Sequence, residues 1–254
     1  MKIGFPNNPR SNILKEIEWI GSSGFDFVDL FLEEDKAVPE RIEVEKVREL
    51  LQKYNLEALG HTAWYLPIGS PMKSLRETAV NEAVRYFEIF HRLEIKLVTI
   101  HANWAKGMFS PEEGINFQID TLNKLVREAE NYNIEIMYEP IITPYDSVDN
   151  VAKILDGVTG LLLHIDTGHS NVFGRKPEDF IERFHEKLVH IHLNDNDGNA
   201  DLHLPMGCGN INWKKTLKVL KKYYDGTITL EVFSRDKDYV LLSKEKLRKL
   251  WDEV

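Results

Sequence analysis

Cysteine is nearly absent from this chain: Cys208 is the single one in 254 residues. No internal disulfide can form, so burial must hold the fold, and a reducing cytoplasm is the expected location. Long apolar runs are missing as well. No stretch approaches the roughly 18 residues a membrane helix requires. The opening MKIGFPNNP lacks the basic-then-apolar layout of a signal peptide. A soluble protein with no membrane partner is expected. Basic charge is not in excess, since 32 Lys and Arg face 41 Asp and Glu for a net charge of −9. That disfavours broad nonspecific binding to nucleic acid, although a local basic rim or bound cations can offset an acidic total. No low-complexity tract or linker interrupts the chain, so one domain over 1–254 is expected. Nor does a Gly-rich phosphate loop follow the first apolar run. FPNNPRSN is not G-x-G-x-x-G, which argues against a dinucleotide-binding, doubly wound sheet.

Short apolar runs are present, and they alternate with longer amphipathic ones. The runs are KIGF (2–5), FDFVDLF (25–31), LEALGH (56–61), KLVTIH (96–101), IEIMYE (134–139), LLLHID (161–166), LVHIHL (188–193) and TITLEV (227–232). Helical periodicity fills 12–23, 43–54, 73–93, 112–132, 147–156, 177–186, 213–224 and 243–252. In the first of these, Ile13, Ile17 and Ile20 share one face; in the second, Val44, Val47 and Leu51 do. Eight β-α alternations in this length predict a single α/β (β/α)8 TIM barrel.

In such a barrel the chemistry sits at the C-terminal ends of the strands. The third, fourth, fifth and sixth candidate strands end in His61, His101, Glu139 and Asp166, with His169 following in DTGH. The seventh carries His192, with Asp201 and His203 in its loop, and the eighth carries Glu231. Imidazole and carboxylate are the groups that bind Zn²⁺, Mn²⁺, Fe²⁺ or Co²⁺. One strand-end histidine is more often a hydrogen-bonded structural residue. Six successive strands with such ends point to a metal site, and a lone Glu231 facing the barrel interior would be costly unless paired or metal-bound.

Other residues read more plainly. His91 and His185 lie in helical patterns, as surface residues. His164 and His190 sit one layer below Asp166 and His192, either orienting ligands or serving as buried structural histidines. Trp64 and Trp104 are able to stack on a sugar or base, or to pack in the core. Cys208 reads as a loop residue, and KKTLKVLKK (214–222) as a solvated helix face. Gly207 and Gly209 suit a tight turn beside the site.

Taken together, these residues resemble the xylose-isomerase-like TIM barrels, which include sugar isomerases, sugar epimerases and endonuclease IV. The resemblance covers essentially the whole chain. Endonuclease IV holds three zinc ions. Its ligand series carries over to His61 (GHTAW), His101 (IHANW), Glu139 (YEP), Asp166 and His169 (DTGH), His192 (HIHLND), Asp201 and His203 (DLH) and Glu231 (LEV). The isomerases and epimerases use one divalent metal on residues similar to Glu139, Asp166, His192 and Glu231. The chain departs from both groups. Tyr145 stands where the epimerases carry a second glutamate, and DNDGN lacks their arginine. EPIITPY replaces the strand-five motif of endonuclease IV, and DTGH replaces its DTCH.

Two activities are thus implied. The count of ligands puts first a metal-cluster, zinc-dependent phosphoester hydrolase. There, Glu139 and Asp166 would bridge ions and a metal-held hydroxide would attack phosphorus. Abasic DNA is the family precedent, with Trp64, Tyr65 and Trp104 reaching the flipped sugar. The alternative is a mononuclear sugar or sugar-phosphate isomerase or epimerase. In it, Glu139 and Glu231 would move a proton through a cis-enediol and His169 would bind a substrate hydroxyl. Zinc is the first expectation for the metal, with Mn, Co or Mg as others. The acidic charge and short loops favour the small sugar.

Overall fold

The computed structural model describes residues 1–105 and 107–254. Eight parallel strands close into a barrel in chain order. They are β1 (Lys2–Pro6), β2 (Phe27–Phe31), β3 (Glu57–His61), β4 (Leu97–His101), β5 (Glu135–Glu139), β6 (Leu162–Asp166), β7 (Leu188–Leu193) and β8 (Thr227–Leu230). The helices between and after them are α1 (Ile13–Ser22), α2 (Val44–Tyr54), α3 (Lys73–Arg92), α4 (Pro111–Glu130), α5 (Val148–Gly157), α6 (Pro177–Phe184), α7 (Trp213–Tyr223) and α8 (Asp238–Glu253). The expected (β/α)8 barrel is therefore present. No helix among the described residues is long and apolar enough to cross a membrane.

Local chemistry sets the helix starts. Asn12, Ser147 and Asn212 accept a backbone N–H of the first turn of α1, α5 and α7. Ser110 and Glu113 form a reciprocal capping box ahead of Pro111 on α4. Ile13, Ile17 and Ile20 of α1 are buried as the periodicity requires.

Alternation along the strands divides the buried side chains into two sets. Val28 and Leu30, Val98 and Ile100, Leu163 and Ile165, and Ile228 and Leu230 belong to the main core, which packs beneath the helices. The residues between them point into the barrel. Asp29 (β2), Thr99 (β4), His164 (β6) and Thr229 (β8) are each at most 1% exposed. One comes from each even-numbered strand, which is how the interior of a TIM barrel is layered. Such layers are usually Val, Ile and Leu, whereas this one is polar throughout. Thr99 Oγ1 lies 3.1 Å from His164 Nδ1, and Thr229 donates to Asp29 Oδ2 at 3.0 Å.

Candidate metal centre

The mouth sits directly above this layer. Glu139, which ends β5, is fully buried, and neither carboxylate oxygen has a hydrogen-bond partner. Four imidazoles nevertheless crowd it: His101 Nε2 at 3.0 Å, His164 Nδ1 at 3.2 Å, His61 Nε2 at 3.4 Å and His169 Nδ1 at 3.5 Å. A buried carboxylate surrounded by rings that approach it without bonding geometry is what a cation, rather than a proton, would complete.

The rings are oriented from behind. His61 donates Nδ1–H to Thr62 O at 3.0 Å, His169 to Pro140 O at 3.0 Å and His203 to Glu231 O at 3.0 Å. Each such bond turns Nε2 toward the site. His192 is reversed: Nε2–H meets Asp29 Oδ2 at 2.7 Å, and Nδ1 faces Glu231 Oε2 at 2.9 Å.

Nitrogen and oxygen atoms gather into three groups at the mouth, each within 4.8 Å: His61, His101 and Glu139; Glu139, Asp166 and His192; and His169, Asp201 and His203. All nine ligand-type residues singled out in the sequence thus converge, with Glu231 joined through His192 and His203.

The charge balance is tense. Burial pushes Asp166 up to about 7, with the negative charges of Glu231 and Asp201 adding to the push against His169 and His203. Burial would also raise Glu231, but His203 and His192 outweigh it and hold the carboxyl at about 2. For Glu139 the imidazoles of His101, His164 and His61 overcome burial and keep it well below the usual carboxylate range. Burial drives His101 down to about 3 against the charge of Glu139, so one ring nitrogen carries no proton and can act as a ligand. His203 is pulled down by burial but ends at about 9, beside Glu231 and Asp201. The imidazoles alone cannot keep every carboxylate ionised near neutral pH. A divalent cation would relieve Asp166.

The loop after β7 carries the second half of the site. His203 has a left-handed backbone, φ 45°. It is held by the antiparallel bridge of Asp195 with Leu204. Asp195, fully buried, accepts from Gly207 N–H, Ile211 N–H and Trp213 Nε1 at 2.8, 3.2 and 2.8 Å. Gly207 adopts φ 84°, and a Cβ on Gly209 would lie 2.1 Å from Asn196 O. Asn194 donates to Asp166 Oδ2 at 2.7 Å. Sequence reading did not single out Asp29, Asn194 or Asp195.

A cavity of about 880 Å³ opens above the centre, lined by His61, His101, His169, Asp201, His203 and Glu231 and walled by Trp64 and Phe233. Trp64 is exposed in this wall; Tyr65, exposed beside it, does not line the cavity, and its Oη accepts the Glu34 N–H at 3.3 Å. Trp104 stands apart from them. It is buried, its Nε1 donates to Asp146 at 2.8 Å, and it does not line the cavity. Its indole packs in the wall rather than facing a ligand. Cys208 is exposed and does not line the cavity.

A closed barrel with a polar interior and a ring of inward imidazoles and carboxylates at its C-terminal end defines a class, the TIM-barrel enzymes with a metal-type centre. The chain belongs to the xylose isomerase-like TIM-barrel family, whose sequence model matches residues 17–252. Among curated relatives it is 29% identical over 211 residues to the uncharacterized protein MJ1311 of Methanocaldococcus jannaschii, covering 74% of this chain and 68% of that protein. It is 21% identical over 203 residues to the fructoselysine 3-epimerase of Escherichia coli O157:H7, covering 74% and 73%. It is 24% identical over 191 residues to apurinic-apyrimidinic endonuclease 1 of Plasmodium berghei, covering 66% of this chain and 38% of that one. Among solved structures, a D-tagatose 3-epimerase-like protein superposes with a TM-score of 0.87 at 27% identity, over 100% of this chain and 98% of the other. The IOLI protein with a bound zinc atom gives 0.78 at 19% identity, over 100% and 96%. The chain is an enzyme of the sugar isomerase/epimerase or hydrolase type.

Proposed function

We propose that this chain is a divalent-metal-dependent epimerase or isomerase of a small ketose, with Glu139, Asp166, His192 and Glu231 as the residues that would hold the metal. One observation carries the reading: the likeness to a D-tagatose 3-epimerase-like protein, at 27% identity, runs along 100% of this chain and 98% of that one, whereas two endonuclease matches cover 66% and 62% of this chain and 38% and 61% of their counterparts. This reverses the order that the ligand count alone suggests.

The bound ion would supply Lewis-acid polarisation of a substrate carbonyl and its neighbouring hydroxyl. The remaining chemistry belongs to the chain. Epimerisation at a carbon beside a carbonyl requires a proton to leave one face and return on the other. Glu139, from β5, and Glu231, after β8, project into the mouth from separate parts of the barrel, which suits that exchange. Both carboxyls are held below the usual range, so either can take the proton as a carboxylate; its return on the other face requires the second to have first taken up a proton from solvent. His169, with Nδ1 committed to Pro140 O, can offer Nε2 to a substrate hydroxyl. Trp64 in the cavity wall offers an apolar face to a sugar ring. Tyr145 and the DNDGN loop lack the epimerases' usual polar contacts, so other rim residues would recognise this substrate.

The test is solvent exchange. Metal-loaded protein is incubated with ketohexoses in D₂O, and deuterium at the carbons beside the carbonyl is read by NMR. Label at one such carbon with appearance of the epimer supports the reading. Absence of label with zinc, manganese and cobalt forms, together with cleavage of abasic-site DNA, would replace it.

A specific observation keeps a second reading, the metal-cluster phosphoesterase. Two further ligand groups, His61 with His101 and Glu139, and His169 with Asp201 and His203, flank the first. Metal content decides between them: near one ion per chain fits the epimerase, near three the hydrolase.

A further inference from the structure

We propose that Asp29 is a positioning residue that sets the ring of His192 and thereby the affinity of the mouth for a divalent metal. The proposal rests on His192 being a ligand, as above, but not on which reaction the site performs.

His61, His169 and His203 are each turned toward the centre by a backbone carbonyl, that of Thr62, Pro140 or Glu231. All three lie at a strand end or in a loop, where a carbonyl is free to accept. His192 lies within β7, and its ring points into the barrel while the carbonyls of the strand are committed to the parallel ladder. Only a side chain from across the interior can hold it. Asp29 does so from β2, which is not a neighbour of β7 in the barrel, with Oδ2 at 2.7 Å from Nε2.

Asp29 is itself fixed. It is 1% exposed, Thr229 Oγ1 donates to the same oxygen at 3.0 Å, and His190 Nε2 stands 3.4 Å away. His190 is braced in turn by Thr227 Oγ1 at 2.8 Å and Thr229 Oγ1 at 3.1 Å. A carboxylate behind a ligating imidazole fixes the tautomer and ring orientation and raises ligand basicity; loss of such a partner typically weakens metal affinity ten- to a hundredfold. Asp29 therefore commits the Nε2 proton and leaves Nδ1 facing Glu139, Asp166 and Glu231.

The test measures Zn²⁺ affinity by competition with a chromophoric chelator for the parent, Asp29→Asn, Asp29→Leu and His192→Ala, with circular dichroism to check folding. Ring ¹⁵N spectra of histidine-labelled, zinc-loaded protein report the tautomer of His192. The expected result is a graded fall, about tenfold for Asn, whose amide oxygen still accepts the N–H, and about a hundredfold for Leu. The parent carries the His192 proton on Nε2, and the Leu variant loses that single tautomer. Affinity within twofold of the parent in folded Asp29→Leu, or an unchanged His192 ring signature, overturns the proposal. Parent-like affinity in His192→Ala would instead remove the ligand assignment, and the proposal with it. If Asp29 variants do not fold, Thr229→Val loosens the carboxylate while keeping it. A fall of about threefold or more then supports positioning, and no fall refutes it.

Discussion

Asp146 offers a measurable test of how burial acts beside the centre. It is 1% exposed, between Trp104 and the guanidinium of Arg175. Burial pushes its carboxyl up to about 6 from the ordinary 3.8, against the bonds from Thr143 and Trp104 and the charges of Arg175 and His169. The native state thus holds this proton more tightly than the unfolded chain, and stability falls as pH rises from about 4 through about 6. The gap corresponds to ~3 kcal/mol at the usual free energy per pKa unit. Asp146→Asn keeps an acceptor for Trp104 Nε1 and never ionises, while the Thr143 hydroxyl, which donates to the carboxylate, would turn to accept from the amide. The variant should match the parent near pH 4 and exceed it at pH 7 by ~3 kcal/mol, which is ~6–12 °C in Tm for a chain of this size. Thermal unfolding of metal-free parent and variant across that range is the assay. Parallel curves, or a variant that loses stability at pH 7, would refute the account of Asp146 as a buried carboxylate ionised at a cost.

Three further outcomes are expected. His192→Ala should abolish turnover under either reaction, while Asp201→Ala and His203→Ala should do so only for the metal cluster; full epimerase activity in the Asp201/His203 double variant would remove the cluster reading. Stripping the metal with a chelator should lower Tm, by the equivalent of ~4 kcal/mol if the ion had been present at about a thousand times its Kd, and an unmoved Tm in a calorimeter would count against a bound ion. Gly209→Ala brings a methyl within 2.1 Å of Asn196 O and should destabilise the His203 loop by ~1–3 kcal/mol, seen as increased protease cleavage after β7.

The barrel was readable because its strands are short apolar runs with conspicuous ends. A histidine or acid closing such a run stands out, as His61, His101, Glu139 and Asp166 do. Asp29 was harder to see, for it lies inside FDFVDLF rather than at its end. The signal was there: Phe27, Asp29 and Phe31 alternate onto one face, and the cost argument applied to Glu231 applies equally to a carboxylate on the inward face of β2. Asn194 and Asp195 were masked by their surroundings, a loop so rich in polar residues that those organising the backbone resemble those facing the cavity. Trp104 stays open between stacking and core packing in the sequence, because its partner Asp146 is 42 residues away, and only the folded chain brings them together. The final helix begins at Asp238 rather than near 243 because Val240, Leu247 and Trp251 form one buried stripe.

The polar layer of Asp29, Thr99, His164 and Thr229 ties the durability of this protein to its reactivity. In a barrel filled with hydrocarbon, the throat can be repacked without touching the mouth. Here the plug of the barrel is also the bracket for a reactive ring. Replacing these four with valine and leucine is the obvious route to a hardier scaffold, and it would yield a sturdy barrel with a slack imidazole above it. Selection for heat resistance and selection for turnover would therefore compete at the same four positions.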